Sequence, residues 1–230
     1  QGSVAATRPL KQYNQVNVYS NDGESEYKAL TFSLNGNIKG GHLVMGSITF
    51  ASKHNRSDDF SPEFPTGYPS DPANLEAEWG RGRSAERMRF VLSGVFRLPW
   101  QVTLAPIFNY GTGQPWTRRY GYDYNGDGKT GDRMPGVDRF GVDGPVYRSF
   151  DLRLTKSFAL GSAGNLELIV EGFNLFNSTN YDVASIDGAE FLSGPTLANP
   201  AAVARPNANY GKASATLPSR EVQLGVRFAF

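Results

Sequence analysis

The residues best suited to chemistry form one run of oxygen donors, Asp123-Tyr-Asn-Gly-Asp-Gly-Lys-Thr-Gly-Asp-Arg133. Asp123, Asn125 and Asp127 alternate along it, so a tight turn can bring their side chains to one point. They take positions one, three and five of a calcium-type loop. Gly128 takes position six, where the chain must turn sharply, and the Lys129 carbonyl takes position seven. Position twelve is Met134 rather than a bidentate Glu, which leaves Asp132 at position ten to complete the shell. The expectation is a structural calcium ion held by Asp123, Asn125, Asp127, Lys129 and Asp132, tying down a loop with little to bury. The plainer reading of the same composition is a solvated Asp/Asn/Gly turn.

Other chemistry fails on residue types. With no Cys there is no disulfide, thiolate nucleophile or Cys-built zinc site. His42 and His54, the two imidazoles, open and close one strand-like stretch and do not share a metal-binding helical spacing. Gly126-Asp-Gly-Lys-Thr130 imitates the end of a phosphate-binding loop, but the glycine required five residues before Gly128 is Asp123. No Gly-x-Ser-x-Gly elbow is present. No catalytic residue is assigned, no cofactor is required, and no enzyme is expected. Lys+Arg 23 against Asp+Glu 22 leaves a net charge of +1, which speaks against a field-driven nucleic-acid binder.

The elements that must position these residues are strands. Gly 26, Pro 14 and 13% aromatic residues point away from helices. Over 87–98, Met88, Phe90, Leu92, Phe96 and Leu98 alternate with Arg87, Arg89, Ser93 and Arg97. At the end of the chain, Val222, Leu224, Val226, Phe228 and Phe230 alternate with Glu221, Gln223, Gly225, Arg227 and Ala229. A period of two over about ten residues is an extended strand with one apolar and one polar face. The same pattern appears at Leu30–Ile38, Val44–Phe50, Val102–Phe108, Phe150–Leu154 and Leu166–Val170, and more weakly near 12–20, for eight strands in all. Turn chemistry at Gly40-Gly41, Pro99-Trp100 and Gly161–Gly164 alternates with long connections near 55–85, 111–146 and 177–217. In a meander, every long connection then falls at one end of the sheet.

Strands of this length, loops of this size and this end-to-end asymmetry describe an all-β, antiparallel, up-and-down transmembrane β-barrel segment with short periplasmic turns and long extracellular loops. No apolar run approaches the length of a membrane-spanning helix, and barrel strands need none. A soluble β-sandwich binding module is the alternative that periodicity alone allows. On the polar parity lie Arg89, Arg97, Asp151, Arg153, Glu167 and Glu171, which in a barrel face the lumen. They suit lumen salt bridges, or contact with a plug or passing solute.

Two stretches resemble a known family. Glu171–Tyr181, carrying Asn174, Leu175, Phe176, Asn177 and Tyr181, resembles the signature strand near the C-terminus of TonB-dependent outer-membrane receptors. Glu221–Phe230 resembles their closing strand, in which Phe228 and Phe230 would be read by the barrel-assembly machinery. The Asp123–Arg133 loop is similar to those of the Oar-like branch, which carries carboxypeptidase-regulatory-like domains. The resemblance implies residence in the cell outer membrane and uptake of an unidentified small ligand energised by the TonB complex. It implies the lipid bilayer as partner and no nucleic acid. Such receptors are barrels of roughly 22 strands around a plug. Residues 1–230 are therefore expected to be the C-terminal part of the barrel, with the plug, the TonB-contacting part and the N-terminal strands absent. A complete eight-stranded barrel with a structural or adhesion role is the competing expectation.

Overall fold

The computed structural model describes residues 12–13, 21–57, 74–126, 128 and 130–230. Seven long strands build it: β1 (Ser25–Ile38), β2 (His42–Asn55), β3 (Met88–Leu98), β4 (Val102–Gly111), β5 (Tyr147–Ala159), β6 (Asn165–Phe173) and β7 (Glu221–Ala229). They pair antiparallel in chain order, with a two-residue strand, Gly80–Arg81, added to β2. Seven of the eight expected strands are thus in place. The eighth, near 12–20, falls outside the described residues except for 12 and 13.

The register converts the alternating sequence into two faces. One row across the sheet reads Leu34, Gly46, Leu92, Phe108 and Phe150. A second reads Phe96, Leu104, Leu154, Val170 and Leu224. The opposite face carries Thr31 and Thr49, whose hydroxyls meet at 2.9 Å, and the ion-paired Arg153 and Glu171. No second layer covers the apolar face among the described residues. Leu34 is 62% exposed and Leu224 81%, and the buried apolar residues Ala85, Pro115 and Ala189 all lie in the long connections, off this face. A sandwich would hide this face against a partner sheet. Here its covering must be a non-aqueous medium, as on the outside of a membrane barrel.

The two ends differ as expected. Lys39–Gly41, Pro99–Gln101 and Leu160–Gly164 are tight connections, and Gly40 (φ 98°) and Gly164 (φ 110°) supply backbone that a Cβ would strain. The opposite end carries the connections across 56–87, 112–146 and 174–220. β1 and β7 each pair on one side only among the described residues, so the sheet is open.

Candidate functional site

The three long connections fold onto one another as a cap. Arg119–Tyr120 pairs in parallel with Ala189–Phe191, joining the second connection to the third, and Pro115–Trp116 pairs with Val142–Asp143. The first connection is fastened by Glu78, which is buried and bonds Arg133 at 3.2 Å. Arg81 reaches Asp143 at 2.6 Å. Such loops bury little apolar surface, so side-chain hydrogen bonds and ring contacts hold them. Trp116 meets Tyr210 edge-on at 5.7 Å, and Tyr120 lies 4.9 Å from both Tyr122 and Tyr124.

Electrostatics in the cap follow from these contacts. Arg118 donates from Nη2 to Glu190 at 2.5 Å, and that bond lifts its pKa above the ordinary guanidinium value. Burial, reinforced by the neighbouring tyrosines, pushes the Tyr120 and Tyr122 phenols up. Asn207 Nδ2 donates to Asp187 at 2.7 Å, and the Ala189 N–H adds a second bond at 3.0 Å. Together they hold the Asp187 carboxyl below its usual range.

The signature residues serve as a clamp. The resemblance placed them on a strand, but β6 ends at Phe173, and Asn174 (φ 46°) and Asn177 (φ 52°) turn the chain out of the sheet. Asn174, nearly fully buried, takes its N–H to Asp151 Oδ1 at 2.8 Å and donates from Nδ2 to the carbonyls of Ser178 and Pro218. Its Oδ1 accepts from the Ser178 N–H. Asn177 Oδ1 accepts from the Arg220 N–H at 3.0 Å, so the turn ties the end of β6 to the start of β7. The Leu175 N–H donates to the Phe150 carbonyl, Phe176 stacks on Phe150 at 5.1 Å, and Tyr181 bridges to Thr216. The next asparagine to matter is Asn180, which the sequence reading missed. Its amide accepts from the Arg148 N–H and donates to the Arg148 carbonyl, both at 2.9 Å, continuing the β5 ladder with a side chain.

All six lumen residues share the polar face, but they do not converge on one site. At the cap end, Arg89 grips Glu86 through two bonds of 2.6 and 2.7 Å and lies over the Tyr147 ring. With Asn109, Gln114, Tyr181 and Asp182, these groups line a recess of roughly 420 Å³ where wall meets cap. At the turn end, Arg97 rests against Gly41, where an added Cβ would meet Nη1 at 3.2 Å. There it shares a second recess, of roughly 440 Å³, with Glu167 and Arg227. Glu167 pairs with Arg227 at 3.8 Å, Glu171 with Arg153 at 3.4 Å, and Asp151 is taken by Asn174. Phe228 and Phe230 stack at 5.8 Å at the turn end of β7.

In the oxygen-rich loop, Asp123 accepts the N–H groups of Gly126 and Gly128 at 2.6 and 2.9 Å. Asp132 Oδ2 accepts those of Tyr124 and Asn125. These bonds shape the loop as an Asx-type turn. Asp127 and Lys129, two of the five expected calcium ligands, lie outside the described residues.

The arrangement as a whole is a wall with one apolar and one polar face, closed at one end by an aromatic, amide-rich cap above a polar recess. A family model described as an outer membrane beta barrel domain matches residues 1–138. No curated protein and no solved structure matches the chain.

Proposed function

The chain belongs to the outer membrane beta barrel domain family, and from that premise we propose that it forms the C-terminal wall and ligand-capturing loops of a TonB-dependent receptor. Residence in the cell outer membrane and contact with its lipid come with the family. The finer reading rests on one observation above the rest: an open seven-stranded wall carries a single cap made from three long connections. An eight-stranded barrel closes on itself and fills its interior with side chains, whereas the large receptor barrels surround a plug. Among the described residues the outer edges of β1 and β7 are unpaired, which suits a wall continued by further strands on both sides.

In this reading the wall stays rigid. Tyrosine, asparagine and arginine groups of the cap and of the recess below capture ligand from outside, and the plug is remodelled to open a path. Calcium belongs to the same reading, as an ion tying down the Asp123–Asp132 loop. Protection of that loop from proteolysis at about millimolar calcium, lost in D127A, tests it. For transport, the full-length protein isolated from outer membranes is passed over the immobilised periplasmic domain of TonB. Retention is expected. A mature protein of eight strands that does not bind TonB would overturn the transport reading and favour a small barrel of structural or adhesive role.

A further inference from the structure

On β5 the outward, apolar face carries a cation at each end of its hydrophobic stretch. Arg148, Phe150, Leu152, Leu154, Lys156 and Phe158 share this parity, and register places Arg148 beside Tyr110 and Lys156 beside Val102. Eight residues separate the two cations, about 27 Å along a strand or about 20 Å of height at the usual tilt of roughly 35–45°, so both stand near the margins of the roughly 25 Å lipid-facing band of such barrels. The two are satisfied differently. Lys156 Nζ donates to the Trp100 carbonyl and lies over the Phe158 ring, so the turn end supplies its own acceptor. The exposed Arg148 side chain has no hydrogen bond or ion pair among the described residues; only its backbone is engaged, by Asn180.

A second cation stands at the same end. Arg220 is exposed, directly precedes β7, and lies two residues before the outward-facing Val222. Its N–H is held by Asn177 Oδ1, while its guanidinium has no partner among the described residues. Arg148 is the second residue of β5 and Arg220 directly precedes β7, two strands away across the sheet, where continuing the pairing sets Arg220 level with Phe150. Arg148 lines a recess of roughly 510 Å³ with Phe108, Phe150, Phe176, Asn177 and Thr179, and the backbone of Arg220 is tied to its wall through Asn177. Phe176 is 73% exposed and extends the lipid-facing aromatic surface beyond the end of the strand.

Lipid tails offer no acceptor to a cation at the rim of a membrane-facing surface, which leaves interfacial water and the phosphates of lipid headgroups as its partners. We propose that Arg148 and Arg220 bind a phosphate-bearing lipid headgroup of the outer leaflet, with an acyl chain lying along Phe108 and Phe150. Guanidinium groups suit this ligand because their planar forks bond phosphate oxygens in pairs. The inference needs the outer-membrane location alone and stands apart from the transport reading.

The test reconstitutes the full-length protein in nanodiscs containing either bisphosphorylated lipid A or its dephosphorylated form. Lipid retained per protein is then counted by native mass spectrometry. Retention of the phosphorylated lipid is expected, falling about tenfold in the double variant Arg148→Gln, Arg220→Gln. It should fall less in Arg148→Lys, Arg220→Lys, which keeps the charge but loses the fork, and survive in Lys28→Gln, whose parent residue is outward-facing but paired with Glu26. Undiminished retention in the double Gln variant overturns the proposal, as does equal retention of the dephosphorylated lipid. Loss of the lipid to excess inorganic phosphate overturns the lipid assignment in favour of a free-phosphate site. Heat-modifiability on gels reports folding. If the double Gln variant does not fold, the single variants are compared, and undiminished retention in both overturns the proposal.

Discussion

Asn174 shows how a cap without an apolar core is held. A left-handed backbone is unfavourable for most side chains, and asparagine tolerates it better than others. Asn174→Ala removes side-chain bonds to Ser178 and Pro218 and leaves alanine at φ 46°. The loss should be about 1–3 kcal/mol. Asn174→Gly loses the same bonds but relieves the backbone. The temperature at which the full-length protein converts to its unfolded form on cold SDS gels should therefore rank parent above Gly above Ala. Asp187 adds a pH dependence. Its folded pKa lies below the ordinary aspartate value, so its contribution is present at pH above that value and is lost as pH falls through the depressed pKa. Protection of the Ala189 and Gly211 amides from exchange, taken relative to the intrinsic rate at each pH, should hold above about pH 4 and fall below it, and in Asp187→Asn it should be insensitive to this window. The sequence singled out Asn174 but put it on a strand, because positive φ leaves no mark when the residue is not glycine. Asn180 and Asn207 left less still: their partners lie 32 and 18–20 residues away, and an asparagine in a polar loop looks like any other.

At the scale of elements, the long strands were legible because lipid and water act on opposite faces of one strand, and a period of two records both. Leu92 sits mid-strand on the outward face, beside Gly46 and Phe108, and Ser93 points the other way. Leu92→Arg should cost about 2–4 kcal/mol if placed near the bilayer midplane, while Ser93→Arg, facing the lumen, should cost far less. Urea titration of the full-length protein refolded into vesicles measures both; equal costs would break the assignment of faces. The short strands of the cap were not legible. Arg119–Tyr120 finds its partner about seventy residues away at Ala189–Phe191, and two-residue pairings carry no period.

For the whole molecule, the family match and an apolar face left uncovered by the described residues both point to a membrane wall rather than a soluble sheet. The family match reaches residue 138 and so covers β1 to β4 and the first long connection. The pairing of β5, β6 and β7 carries the same two faces to the end of the chain. The chain has no cysteine, so single cysteines can be placed along 88–98 and spin-labelled in the full-length protein within bilayers. The account predicts that labels at 90, 92 and 96 collide with dissolved oxygen and are shielded from a water-soluble nickel chelate, with the reverse at 89, 91, 93 and 97. Even-numbered positions shielded from both reagents would mean the apolar face is packed against protein, and would contradict the account.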